Sequence, residues 1–311
     1  GVRFSVTTAS PIAFEIENKD WQNWIYPMSV EKIDFSSFDK KTKTEILSKI
    51  KEKEITCFRP AHADLAGVQK YGFKDIRYVL ERSSARETAT RTAVGAICQN
   101  ILKNYDISFS SEILSIGNSE NKKEFNKIID KAKENGDSLG GIIKITIKNV
   151  PSGLGSFVNW DRKLDSRLAG AIISIPAIKS VEFGLGKEYA KLTGFNSHDE
   201  IFYNEGYFRK TNASGGIEGG MSNGEDIVIT LAMKPIPTLK KSLNSVEIKT
   251  HKKTKAHFER TDSCAVEACS TVAKNVCAII ILDAFLEKFG SDSKKDIDYS
   301  YAKYLKRIDE I

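Results

Sequence analysis

The chain has 311 residues, 41% hydrophobic and 28% charged, with a formal net charge of +6 and a pI near 8.8. This is the composition of a globular chain, long enough for a sizeable core in one large domain or two medium ones. No apolar run approaches the roughly 20 residues that cross a bilayer, so no membrane partner is expected, and the mild positive charge points to a small anion rather than to nucleic acid. The five cysteines, Cys57, Cys98, Cys264, Cys269 and Cys277, form no C-x-x-C pair. They read as reduced, buried thiols of a cytoplasmic protein, with no metal site.

The chain opens at Gly1 on "GVRFSVTTASPIAFEI", which reads as the middle of a strand-rich region, so residues ahead of Gly1 are expected. "RPAHAD" (59–64) then places Arg59, His62 and an aspartate within six positions, in a chain with four histidines. A lone histidine is a weak signal. In "ERSSARET" (81–88), Arg82 and Arg86 flank two serines, Ser83 and Ser84, and Ser84 stands three before Glu87 as in a capping box. A helix over 83–106 is expected, its N-terminus offering free N–H groups and the positive dipole end to an oxyanion, with arginines for bidentate recognition.

Strands are expected over 106–117 and 140–150. In the second, Ile143, Ile145 and Ile147 alternate with Lys144, Thr146 and Lys148. An amphipathic surface helix is expected over 121–137 and another helix over 162–175. "NASGGIEGGMSNGE" (212–225) holds five glycines between Gly215 and Gly224, a tight hairpin or a loop that lets backbone approach a ligand. It is neither a dinucleotide fingerprint nor a P-loop. The near-continuous apolar strand over 225–235 suggests burial on both faces, and "KPIPTL" (234–239) follows as a rigid wall. A lysine-rich solvated hairpin is expected over 239–260. "ERTDSC" (259–264) sets Arg260 and Asp262 before a helix over 264–289 that is apolar over most of its surface and therefore central. Strands and helices of comparable weight, without regular βαβ spacing, predict an α+β fold of largely antiparallel sheets with helices packed on them.

"RPAHAD", "YGFKDIRYVLERSSARETATRTAVGA", "VPSGLGSFVNWDRKLDSRLAGA", "VEFGLG", "NASGGIEGGMSNGE", "KPIPTL" and "RTDSC" occur in an order that resembles chorismate synthases over nearly the whole chain. The resemblance implies a single domain over 1–311 with a β-α-β sandwich, and a homotetramer. It implies 1,4-anti elimination of phosphate from 5-enolpyruvylshikimate 3-phosphate to give chorismate, the last step of the shikimate pathway, dependent on reduced FMN. Matched motif by motif, flavin contacts fall at Arg82, Ser83, Ser84, Pro176, Ala177, Gly219, Lys234, Pro235, Ile236, Pro237, Thr238 and Arg260. Substrate contacts fall at Arg59, Ser84, Arg86 and Arg260. His62 matches a histidine assigned to protonating the reduced flavin, and Asp262 an aspartate that assists proton removal from the substrate. Pro176 departs from the residue type usual before that alanine. Ala9 and Ala61 stand where the family has glycine, and the family's N-terminal Gly-Glu-Ser-His-Gly motif is not in this chain. A flavin-binding, catalytically inactive family member is the alternative. With no dinucleotide fingerprint, reduction of the flavin is expected from an external reductase rather than from bound NADPH.

Overall fold

In a computed structural model, residues 1–83, 85–259 and 261–311 are described. Ser84 and Arg260 lie outside them. The chain divides into two compact units, one of Gly1–Ser84 and Pro237–Thr261, the other of Ala85–Ile236 and Asp262–Ile311.

The first unit is built on three helices. α1 (Lys40–Lys53) starts where the Asp39 carboxylate accepts from Thr42 N–H at 2.7 Å, and it ends on Lys51 and Lys53, charges that suit the two ends of the dipole. α2 (Asp64–Tyr71) stops at Gly72, whose φ of 68° continues no helix. α3 spans Arg77–Ser83. A small core of Ile55, Ile76 and Leu80 joins them, with Phe58, Val68 and Ile248 against it. The expected lysine-rich hairpin forms from Asn244–Val246 and Lys253–Lys255. It is tied down by Ile248 N–H to the Thr56 carbonyl at 2.9 Å and Ser245 Oγ to the Phe58 carbonyl at 2.6 Å. The strand-rich reading of residues 1–16 is corrected: only Val2–Arg3 and Val6–Thr7 pair. Val2, Phe4, Val6, Ile12, Phe14 and Ile16 are exposed, so their apolar alternation has no layer to bury against.

The second unit holds α4 (Thr88–Leu102), β1 (Ser108–Ile116), α5 (Phe125–Glu134), β2 (Gly141–Lys148), α6 (Leu164–Ile173), β3 (Ile178–Phe183), β4 (Ile227–Met233), α7 (Val266–Phe289) and α8 (Lys294–Asp309). Its antiparallel sheet has the order β1-β2-β4-β3. Ile143 pairs with Leu231, Ile145 with Ile229 and Ile147 with Ile227, and all six are fully buried in one core with α4, α6 and α7. Each such side chain contributes about 1.5–3 kcal/mol. β4 departs from the expected burial on both faces, since Val228, Thr230 and Ala232 alternate as half-buried positions. By length and composition α7 could cross a membrane, but Val266, Ala273, Cys277, Ala278, Ile281 and Phe285 are buried inside this unit.

α4 and α7 touch backbone to backbone. A Cβ on Gly95 would lie 2.2 Å from the Asn275 carbonyl oxygen, and beside it Gln99 Nε2 donates to Asn275 Oδ1 at 2.8 Å. The architecture is the α+β, antiparallel one that the sequence predicts.

Candidate functional site

The residues from "RPAHAD" form one polar knot in the first unit. Asp64 opens α2 and has no exposed surface, and Arg59 is 6% exposed. Arg59 Nε and backbone N–H both donate to Asp64 Oδ2 at 2.9 Å, and Arg59 Nη2 donates to Asp64 Oδ1 at 2.8 Å. The half-buried His62 brings Nδ1 to 2.6 Å from the same Oδ1. Burial alone would raise the Asp64 pKa. Hydrogen bonds from Arg59 and His62, with the Arg59 charge, override it and hold the carboxyl well below the usual range. The knot depends on a turn in which His62 N–H donates to the Arg59 carbonyl at 3.3 Å. That turn holds Ala61 at a φ of 62°, and Ala9 likewise sits at 58°. Both alanines standing in the family's glycine positions are therefore in the left-handed region, at a cost of about 1 kcal/mol each.

Arg82 and Ser83 lie at the C-terminal end of α3, not at the helix N-terminus expected for them. Ser83 Oγ donates back to the Val79 carbonyl at 2.7 Å. A short 3-10 turn, Ala85–Glu87, carries the exposed Arg86, and α4 begins only at Thr88. The expected capping box falls on Ser84, outside the described residues, as does the predicted ligand Arg260. Pro237 and the buried Thr238 belong to the first unit.

In the second unit three distant motifs meet. The Ala177 carbonyl accepts from Lys234 N–H at 2.9 Å, with Ala177 at a φ of 73° directly after Pro176. Ser138 Oγ donates to the Ile236 carbonyl at 2.7 Å, next to Pro235. The neighbouring Leu139 N–H donates to the Ser263 carbonyl at 2.8 Å, one residue from the exposed Asp262. Gly140 completes the junction, because a Cβ there would meet the Met233 carbonyl oxygen at 2.2 Å. Residues 138–140 thus draw 234–236 and 262 together, with 177 bonded to 234, a role that a lone serine, leucine and glycine in a short connection do not signal as a motif. The Lys234 ammonium is destabilised, first by burial and then by repulsion from Lys179, and its pKa is lowered.

The glycine-rich segment is a hairpin, Ile217–Glu218 against Met221–Ser222, with Gly219 and Gly220 both at positive φ. The Gly220 carbonyl accepts from Leu164 N–H at 2.8 Å, so Gly219 sits at the N-terminal end of α6, whereas Ala177 follows its C-terminal end. The helix between these two ends has ten residues and is about 15 Å long. Asp199 fixes the start of the segment by accepting from Thr211 Oγ1, Ala213 N–H and Ser214 N–H at 2.6–2.9 Å. A cavity of about 950 Å³ beside it, lined by Leu185, Phe195, His198, Phe202 and Lys210, contains none of the predicted residues. Among the described residues, no group of three His, Cys, Asp or Glu side chains is placed to hold a metal ion.

The family model "Chorismate synthase" matches residues 1–286. A chorismate synthase of Caldanaerobacter subterraneus subsp. tengcongensis is 50% identical over 98% of this chain and 81% of its own length. One from Thermoanaerobacter pseudethanolicus is 49% identical over the same shares. A solved structure described as "Crystal Structure of Chorismate Synthase" superposes with a TM-score of 0.69 at 38% identity, over 80% of this chain and 77% of its own. With the family model matched over residues 1–286 and relatives near 50% identity over 98% of its length, the chain belongs to the chorismate synthase family of lyases.

Proposed function

We propose that this chain catalyses the 1,4-anti elimination of phosphate from 5-enolpyruvylshikimate 3-phosphate to give chorismate, with reduced FMN as cofactor. The observation that carries the reading is the junction at Ser138–Gly140, which brings Ala177, Lys234–Ile236 and Asp262 together from three distant motifs. The residues present suit a flat, anionic cofactor. Burial and, after it, the nearby charge of the exposed Lys179 lower the Lys234 pKa, a positive setting that draws a phosphate, and the space where a Gly219 Cβ would project is open.

Pro176, Ala177, Gly219, Lys234, Pro235, Ile236, Pro237 and Thr238 would hold the cofactor, with Arg82, Ser83, Ser84 and Arg260. When bound, reduced FMN supplies the electron-rich ring that lets the elimination proceed without net redox change. Arg86, Ser84 and Arg260 bind the substrate's phosphate and carboxylates and steady the departing phosphate. Arg59 joins them with reduced reach, because its Nε and Nη2 are turned to Asp64. His62 keeps a proton available at its ring, and Asp262 orients the group that takes the substrate proton. In this reading the active form is a cytoplasmic homotetramer supplied by an external flavin reductase. Five free cysteines support a reducing compartment.

The test is phosphate release by the full-length protein under anaerobic conditions. Release is expected with reduced FMN and not with oxidised FMN. Flavin binding without any release would leave the inactive-member reading standing instead.

A further inference from the structure

We infer that Asp64 is the positioning residue for His62: its carboxylate accepts the Nδ1 proton of the imidazole and leaves Nε2 as the nitrogen that delivers a proton. The inference rests on the proposed role of His62 and adds to it a residue that no motif match assigns.

The argument is one of donors and acceptors. Asp64 is fully buried, and its two oxygens receive four contacts, Arg59 N–H and Nε on Oδ2, and Arg59 Nη2 and His62 Nδ1 on Oδ1. An ionised carboxylate only accepts, and this one is held ionised by the guanidinium beside it. The 2.6 Å contact therefore requires a proton on Nδ1. Arg59 Nη2 also approaches Nδ1 to 3.0 Å and Nε2 to 3.5 Å. Nη2 and Nδ1 both carry hydrogens, so the first approach is not a bond between them but the convergence of two donors on one Oδ1, and the second lies at the outer limit for a hydrogen bond.

A neutral imidazole carries one proton. With that proton committed to Asp64, Nε2 is the bare nitrogen, and in the charged ring the second proton sits there. It is the one that leaves, since the other is retained by a buried anion. The buried aspartate of a serine-protease triad governs its histidine in the same way. Arg59 balances the Asp64 charge, and the left-handed Ala61 turns the chain so that the ring returns to a carboxylate two residues further on. A purely structural Asp64, there only to clamp Arg59 at the start of α2, would leave the tautomer of His62 unconstrained.

The test uses the full-length protein with 15N-labelled histidine and no flavin, with its histidines resolved by NMR and His62 assigned through His62→Gln. The neutral His62 ring is expected as the Nδ1–H tautomer. The Nε2–H tautomer overturns the inference, and this measurement needs no variant at Asp64. Asp64→Asn, which can turn an amide N–H toward Nδ1, is expected to shift the ring toward the Nε2–H form. It should lower kcat by about 100-fold with KM nearly unchanged. In a His62→Gln background the same change should cost less than about threefold, because it acts through a ring no longer there. Equal losses in both backgrounds overturn the positioning role. Full turnover by His62→Gln alone instead defeats the reading of His62 itself, which the wild-type tautomer does not depend on. If Asp64→Asn does not fold, the wild-type tautomer decides.

Discussion

The two units are stabilised by different means. In the second, Ile143, Ile145, Ile147, Ile227, Ile229 and Leu231 meet α7 in a core without a charge among them, and helices α4 and α7 close to backbone contact at Gly95. Among the described residues of the first, the buried apolar cluster is just Ile55, Ile76 and Leu80, while Arg59, Asp64 and Arg77 are buried in the same unit. Arg77 donates Nε to the Lys53 carbonyl at 2.9 Å, pairs with Glu81 and Glu259 at 3.1 and 2.8 Å, and lies over the Trp24 ring at 5.1 Å. A small core leaves apolar burial short of what ordering the chain costs, and buried, fully bonded charges fix the geometry instead. Such pairs add little over an apolar replacement but are expensive to break singly. The second unit should therefore respond to volume, and the first to charge and acidity.

The largest expected effect is Arg59→Ala, which strands the Asp64 carboxylate without its counter-ion at zero exposure. A loss of about 3–5 kcal/mol is expected, read as lost amide-exchange protection over residues 55–80. In the second unit Gly95→Ala gains about 1 kcal/mol of helix propensity. It also sets a methyl against the Asn275 carbonyl, which overpacks the α4–α7 contact by up to about 3 kcal/mol. A net loss of about 2 kcal/mol over 266–289 is expected. If exchange over 266–289 is unaffected, the helices adjust more freely than a backbone contact allows.

Acid should separate the units without any mutation. Asp64 is held well below the usual carboxylate range by hydrogen bonds from Arg59 and His62, and Glu259 is lowered to about 2, first by its contact with His257 and then by Arg77. Groups depressed in the folded state contribute stability that is present above their ordinary pKa and lost as the pH falls through the folded value. Protection over 55–80 should therefore fall as the pH drops from about 4 toward 2, while 266–289 keeps its protection. Glu112, also lowered to about 2 by bonds from Lys122 and Lys144, belongs to the second unit but pairs at an exposed surface, where such bridges contribute little. Simultaneous loss in both units would break the distinction.

The same contrast explains what could be read from the sequence. Residues 141–148, 227–233 and 266–289 were legible because one apolar face, or a wholly apolar surface, follows directly from side-chain period. α8 gave no such signal: only Ile297 is buried, and it packs through Tyr301 and Tyr304 against Phe285 and Phe289. The polar site was legible only as motifs. Asp64 stands two residues from His62 and five from Arg59, spacings with no regular period, and what joins them is a left-handed turn at an alanine. Residues 138–140 were silent for a related reason: one hydroxyl, one backbone N–H and one missing Cβ carry the junction, and a lone serine or glycine in a connection has no period to mark it. The helix start near Ser84 was misplaced because a 3-10 turn at Ala85–Glu87 precedes α4.

The smallest expected effect concerns that alanine. Ala61 is exposed and held at a φ of 62°, a region where a Cβ meets the neighbouring carbonyl and where glycine is at ease. Ala61→Gly relieves the strain but loosens the unfolded chain, and these oppose one another. The strain is the larger, so a net gain of no more than about 0.5 kcal/mol is expected, confined to the first unit and visible in exchange over 55–80. Because the turn aims His62 at Asp64, the glycine variant should also keep the Nδ1–H tautomer of His62. A gain in stability with a scrambled tautomer would mean that the methyl, and not Asp64 alone, holds the ring, and it would make Ala61 a working part of the knot rather than a tolerated departure from glycine.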